Sequence, residues 1–361
     1  MQPYFSKHFY NPSAPYQPAR DVKAAIETAR AQCGIILGAR PAEIIFTAGA
    51  TESVNLAFNG ILKDGGHCVV SNIEHLAVLE TARSYNHTLV KVDGKGRIIL
   101  KNLTNSIRDD TVLVSIGMVN NEIGVLQDIK QIAAVLKTIR CERLARGNRT
   151  PLYFHTDATA AAGYQDLSVA RLGVDLLSLG GNKIYGPAQT GLLFKSSRVA
   201  LAPLVHGSGH EQNLRSGSEN VAGIVGLGEA LTISDRLRQS EMRRLAKLKG
   251  IFVKQLVDML PGTVVIGDQK HSAPHVMMLA WPNVDGERLV FRLENKGVLV
   301  NTGAACAAKK DSYSHVLKAL DVSPKLIAGS LRFSLGRETT ENQLSRTAKI
   351  VKEAITKERG Q

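Results

Sequence analysis

Lys183 stands in SLGGNKIYGP, twenty-six residues beyond Asp157 in YFHTDATAAAG, and Cys306 follows in NTGAACAAKKD. A lysine amine condenses with an aldehyde to form a Schiff base, and an acid late in an apolar strand can face a protonated pyridine nitrogen. Gly180 and Gly181 let backbone approach a ligand closely, with the amine pointing inward. Around Cys306 lie Gly303, Ala304, Ala305, Ala307 and Ala308, then Lys309 and Lys310. Small neighbours and adjacent positive charge favour an accessible thiolate. The trio suits a chain that holds an aldehyde cofactor on an amine and strips a group from an amino acid.

Other residues could serve that chemistry, each beside a plainer reading. TAGATES (47–53) follows an apolar run and opens a helix, so Gly49, Ala50 and Thr51 could form a phosphate cup, or only an ordinary strand–helix turn. His75 starts another helix and could stack on a flat heterocycle, or simply end the helix in solvent. Asn121 could donate to a ring oxygen or cap a turn. Asp157 could pair with a pyridinium or act as a structural cap. Arg332, in the apolar stretch LRFSL, could reach across a domain cleft to grip a carboxylate or form an interdomain ion pair.

These residues need strand ends to position them. Apolar runs at 43–46, 68–71, 88–92, 112–116, 152–155, 174–178 and 191–195 are predicted strands, with helical patterns between most of them. That alternation predicts an α/β fold with a mostly parallel seven-stranded sheet and helices on both faces. Ligands of such sheets collect beyond the carboxyl ends of the strands, where Asp157, Lys183 and the 47–53 turn all fall. A long amphipathic segment over 219–259 leads into a smaller α+β domain. Its strands are predicted near 263–266, 275–280 and 297–301, and its helices near 285–295, 312–320 and 340–357. The expected division is 15–235 for the large domain, with 1–14 and 236–361 forming the small one.

At 361 residues the chain exceeds what one core usually serves, and 44% hydrophobic with 21% charged residues describes an ordinary globular protein. No apolar run is long enough for a membrane helix and no secretory h-region opens the chain, so a cytoplasmic location is expected. Four cysteines without a CxxC pair argue against a disulfide framework or a structural metal. Lys plus Arg exceed Asp plus Glu by 45 to 32, a net charge of +13, but the positive residues are scattered and no RNA-reading motif accompanies them. Direct nucleic-acid binding is therefore not expected. The densest cluster, 137–150, reads as a surface elaboration at a helix end.

TAGATESVNLA, EHLAVLE, VNNEIGVLQDI, HTDAT, NKIYGP, HGSGHEQNLRSGSEN, the cysteine loop and LRFSLGR occur in the order found in the cysteine desulfurases. The chain resembles that family of pyridoxal 5'-phosphate (PLP) enzymes, which lies within the class V aminotransferases and has the type I PLP-dependent transferase fold. The spacing after Cys306 is similar to the group I branch, which carries its cysteine on a long loop. The resemblance implies conversion of L-cysteine to L-alanine, with sulfur held as a persulfide on Cys306. A sulfur-acceptor protein, an iron–sulfur scaffold or a tRNA-thiolation enzyme, would then collect it. It also implies that Lys183 holds PLP, Asp157 pairs with its ring nitrogen, His75 stacks on the ring, and Asn121 and Asn182 contact the cofactor. Ala50 and Thr51 would belong to the phosphate cup, while Asn11 and Arg332 would bind substrate. Ser218 would reach the phosphate of a neighbouring subunit, implying a homodimer.

Three family positions differ. Ala160 replaces a glutamine, Gly180 a serine and Asn182 a histidine, and no counterpart of the family's opening strand and A-T-T-P turn precedes Asn11. Each lost hydrogen bond to a charged group costs roughly 1.5–3 kcal/mol, so weakened PLP retention is expected. A selenocysteine lyase or an aminotransferase of the same class would keep the cofactor and change the reaction. An interaction protein with a decayed pocket would keep only the fold.

Overall fold

The computed structural model describes residues 1–302 and 313–360. Its chain forms two compact units. One comprises Met1–Val90, Leu100–Met118 and Asp128–Arg238; the other comprises Lys91–Ile99, Val119–Gln127 and Gln239–Gln361.

The first unit is built on β1 (Ile44–Thr47), β2 (His67–Ser71), β3 (Asn86–Val90), β4 (Thr111–Ser115), β5 (Tyr153–Asp157), β6 (Leu176–Gly180) and β7 (Gly191–Lys195). These are the seven predicted strands, shifted by at most three residues at their ends. They lie in the order β1-β7-β6-β5-β4-β2-β3. The pairs from β3 through β6 are parallel, while β7 runs antiparallel to both β6 and β1. β2 and β6 are buried at every residue, as strands covered on both faces must be. β3, at the sheet edge, is largely open.

Helices form where the apolar spacing is three or four. Val22, Ile26, Ala29, Cys33 and Leu37 line the buried face of the helix Gln17–Leu37. That helix stops at Gly38, whose φ of 63° lets its N–H and that of Ala39 cap the last carbonyls. The helix Ala50–Leu62 buries Val54, Leu56, Ala57, Phe58 and Leu62 in a cluster with Val70, Leu113 and Leu193. That burial seats its N-terminus at the end of β1.

The second unit has a three-stranded antiparallel sheet, β8 (Val264–Ile266), β9 (Val276–Ala280) and β10 (Ser330–Ser334), in the order β10-β9-β8. Helices Gly286–Glu294 and Glu341–Glu358 accompany it, the latter opened by a Thr340–Gln343 capping box. The boundary between the units falls inside the helix Val221–Met259.

Three expectations are corrected. Residues 297–301 form no strand: Gly297 (φ 77°) and the Val298 N–H bonded to Leu293 O close the preceding helix, leaving only a bridge from Asn301 to Arg332. Residues 1–14 group with the large unit, and two short segments inside 15–235 belong to the small one. Met1 and Tyr4 line a hollow with Ala25, Pro187 and Gly226, all of the large unit, which explains the first difference. The basic segment 137–150 is not an optional elaboration. Arg143 is 2% exposed and donates to Thr111 O and Arg108 O, and Arg140 donates to Leu152 O and pairs with the buried Asp175.

Candidate active site

β5 and β6 run side by side, with Asp157 opposite Ser178, and Asp157 and the connection to Lys183 lie at their carboxyl ends. Asp157 is half-buried; its Oδ1 accepts from Thr159 N at 2.9 Å, an Asx turn that holds the carboxylate at the strand tip. β6 ends at Gly180 and passes into a short 3-10 turn, Gly181–Lys183. The Gly181 N–H donates to Thr190 O at 2.8 Å, and a Cβ on Gly181 would lie 2.4 Å from Thr190 Oγ1. A side chain at Gly181 would have to displace the Thr190 hydroxyl. Tyr185 (φ 63°) and Gln189 (φ 53°) adopt left-handed backbone in the same connection, a concentration of local strain typical of functional loops.

The inward burial expected for Lys183 is corrected: its side chain is exposed, and its amine has no hydrogen bond or ion pair among the described residues. A lysine in a salt bridge would be held as an ammonium and blocked; this one is accessible. Asn182 beside it is also exposed.

The turn after β1 meets this loop. Gly49, at φ 145°, is the N-cap of the helix Ala50–Leu62, and Ser53 N makes the first intrahelical bond to Gly49 O at 3.0 Å. The amides of Ala50, Thr51 and Glu52 precede that bond and point out of the helix start, the arrangement that receives anions. Thr47 Oγ1 and Ser53 Oγ, 2.7 Å apart, lock the turn from behind. Glu52 takes Ala48 N and pairs with Arg215. A Cβ placed on Gly180 would lie 3.3 Å from Ala50 Cβ, 3.3 Å from Asn182 Oδ1 and 3.4 Å from Thr159 Cγ2. So Ala50, Thr159, Gly180 and Asn182 share one small space. The Thr159 Oγ1 is buried and has no hydrogen-bond partner among the described residues.

His75 caps the helix Leu76–Arg83, with its Nδ1 accepting from Ala77 N at 3.0 Å. Because the donor is a main-chain N–H, Nδ1 carries no proton, and the neutral ring holds its proton on Nε2. The cap reading and a functional reading thus coexist: capping fixes the exposed ring and its tautomer. Glu74, the residue before His75, is 4% exposed and accepts from Gly117 N with both oxygens at 2.9 and 3.0 Å. Burial, with the Asp157 charge adding to it, pushes its carboxyl up to about 8.

Farther along, Ser218 is exposed and lines a cavity of about 230 Å3 with Thr47, Ala48, Gly191 and Arg215. Asn11 is exposed and folds its own turn, accepting from Ser13 N at 2.9 Å.

In the second unit, Arg332 lies on β10 opposite Met278, half-buried, and its Nη1 reaches Asn121 O at 3.5 Å. Its Nε is buried without a hydrogen-bond partner among the described residues. Glu122, 6% exposed, accepts from Ser314 Oγ at 2.5 Å. Cys306 lies outside the described residues.

Residue-by-residue reading missed Glu74, Glu122, Thr159 and Gly191. Acids inside otherwise apolar, turn-flanked segments (NIEHLAV, NNEIGV) were the available signal for the first two; for Thr159 and Gly191 there was none, since their importance lies in contacts between strands.

A family model described as Aminotransferase class-V matches residues 1–347. The chain belongs to this family. Among curated relatives, "Cysteine desulfurase IscS" of Dictyoglomus turgidum is 35% identical over 366 residues, covering 99% of this chain and 90% of that protein. "Putative cysteine desulfurase IscS 1" of Bacillus subtilis is 39% identical, with 98% and 93% covered. A solved "NifS-like protein" superposes with a TM-score of 0.89 at 28% identity over 98% of this chain and 94% of that one. The structure titled "SspA in complex with cysteine" gives 0.78 at 30% identity over 92% and 93%. The mixed seven-stranded sheet and the small antiparallel sheet are thus those of a type I PLP-dependent transferase fold.

Proposed function

We propose that this class-V family member is a PLP-dependent cysteine desulfurase that converts L-cysteine to L-alanine and passes the sulfur, through Cys306, to an acceptor protein. The observation that carries the reading is the accessible, unpaired amine of Lys183 next to the shared space of Ala50, Thr159, Gly180 and Asn182. Desulfurase names on relatives that cover nearly the whole chain support the reaction class.

The residues present fit a phosphorylated pyridine aldehyde. Lys183 would hold the aldehyde carbon, and the Asp157 carboxylate would keep a proton on the ring nitrogen. His75 would lie against the ring, and the amides of Ala50 and Thr51 would take the phosphate with Ser218 of a second copy. Thr159 Oγ1, buried and unpaired, is a donor waiting for an acceptor. Asn121 and Asn182 would donate to cofactor oxygens. When bound, PLP supplies an electron sink that makes the substrate α-carbon acidic.

The remaining work belongs to the chain. Arg332, assisted by Asn11, orients the amino acid by its carboxylate. The Lys183 amine takes the α-proton and later returns a proton to carbon. The Cys306 thiolate forms an S–S bond with the substrate sulfur as the C–S bond breaks; that electron pair goes to carbon, and the product is L-alanine. The cysteine persulfide left behind is the sulfur donor to an iron–sulfur scaffold or a tRNA-thiolation enzyme. A homodimer in the cytoplasm fits this role, and no helix among the described residues is long and apolar enough to cross a membrane.

The test is alanine formation from L-cysteine by PLP-loaded protein. Wild type should turn over, Lys183→Ala should neither bind the cofactor covalently nor form alanine, and Cys306→Ala should keep the yellow colour but form no persulfide. Alanine formation by Cys306→Ala at the wild-type rate would overturn the assignment of that cysteine. Selenide release without persulfide would favour the selenocysteine lyase reading.

A further inference from the structure

Glu122 is a buried carboxyl in a turn made by its neighbours: Asn120 Oδ1 accepts from the N–H groups of Glu122 and Ile123 at 2.9 and 3.0 Å. Two elements face its side chain. Ser314, the N-cap of the helix His315–Ala319, donates its hydroxyl proton to Glu122 Oε2 at 2.5 Å while accepting from Leu317 N. Arg332 on β10 is the charged group that acts on it, yet the two form no ion pair among the described residues. Arg332 instead bonds weakly to Asn121 O, the carbonyl one residue before Glu122, and keeps a buried Nε with no partner among the described residues. A guanidinium with an empty buried donor calls for an acceptor brought from outside.

We infer that Glu122 is a positioning residue for the carboxylate grip of Arg332, and that binding of an amino-acid carboxylate there is coupled to uptake of a proton by Glu122. The inference deepens the proposed function and rests on its assignment of Arg332. The physical cause is charge balance. One half-buried cation balances one anion: with Glu122 ionised, its charge already offsets much of that of Arg332 before a carboxylate arrives; with Glu122 protonated, Arg332 keeps its full charge for the ligand. Burial has already brought Glu122 to the edge of that transition, its carboxyl pushed up to about 7 although the Ser314 hydrogen bond and the Arg332 charge pull it down. A second carboxylate nearby pushes it higher.

The experiment uses PLP-loaded protein and L-alanine as probe, a carboxylate ligand with no thiol to titrate. Calorimetry between pH 6.5 and 8.5 in phosphate and in Tris gives the number of protons taken up on binding. Relative to Glu122→Gln, the wild-type apparent Kd should weaken by up to about tenfold per pH unit above the Glu122 transition. At the upper end, proton uptake should exceed that of Glu122→Gln by an amount approaching one per site, and the Glu122→Gln affinity should lack this weakening, keeping only the pH dependence that the alanine ammonium and the cofactor impose on both proteins. Ser314→Ala removes a hydrogen bond to the charged form, so it should move the break in affinity to higher pH; this keeps the test alive should Glu122→Gln fold poorly. Equal proton uptake in wild type and Glu122→Gln overturns the inference, as does a Ser314→Ala break at unchanged or lower pH. If Arg332→Lys binds L-alanine as wild type does, the inference falls together with the Arg332 assignment. Turnover of L-cysteine reports the desulfurase reading separately.

Discussion

Gly191, the first residue of β7, lies directly against Gly49: a Cβ on Gly191 would stand 2.6 Å from the Gly49 carbonyl carbon and 2.6 Å from Leu179 O. It is also the cross-strand partner of both Thr47 and Gly180. The reversed strand thus brings the turn that opens the helix Ala50–Leu62 against the strand end that leads to Lys183. Both neighbours are backbone, so no side-chain rotation makes room. Gly191→Ala should cost about 1–3 kcal/mol of stability and weaken cofactor binding more than it slows turnover of loaded enzyme. Thermal unfolding of the apoprotein and a PLP titration separate the two effects.

Thr159, whose side chain lies beside Gly180, has a buried hydroxyl with no partner among the described residues. If that hydroxyl serves the cofactor, Thr159→Val, which keeps the shape, should raise the PLP dissociation constant by about tenfold or more, the worth of one hydrogen bond to a charged group, while Thr159→Ser should not. Apoprotein stability should be unchanged or slightly higher in Thr159→Val, because an unpaired buried polar atom is gone. Equal PLP affinity in wild type and Thr159→Val would remove Thr159 from the cofactor site.

Glu74 gives the fold a pH dependence whose sign is fixed. Its carboxyl is raised from 4.5 to about 8 by burial, the Asp157 charge adding to the effect, so the folded state holds a proton that the unfolded state has lost. Stability from this group is full below about pH 4.5 and declines as pH rises toward 8. Chemical denaturation at pH 5.5 and 8.5 should show wild type losing up to about 3 kcal/mol more than Glu74→Gln over that interval. The same slope in both proteins would show that Glu74 ionises normally.

Arg143 closes the end of the helix Ile129–Ala145 onto the start of β4 through Thr111 O and Arg108 O. Arg143→Met keeps the aliphatic stem but strands two carbonyls, and should destabilise the protein by about 2–4 kcal/mol. Lys137→Met, six residues earlier on the same helix and exposed, should change stability by less than about 0.5 kcal/mol. Urea unfolding of the two variants makes the comparison.

The sequence by itself determined the seven strands of the large sheet, the positions of Asp157 and Lys183 at two of their ends, and the family. Each follows from local information: alternating strand and helix periods, glycines where the chain must turn, and ordered motifs. It also marked His75 and Asn121 as candidates while leaving their plainer roles open, and His75 is in fact a helix cap. Only the tertiary structure decided that β7 runs backwards, because nothing in GLLFK encodes direction; direction comes from which neighbours its edges can pair with. Only it decided that Arg143 is interior, since a basic run looks solvent-exposed until Thr111 and Arg108 present their carbonyls. The same holds for Glu74, Glu122 and Thr159. A carboxyl or hydroxyl reveals its burden only when packing removes water and the distant groups that face it are known.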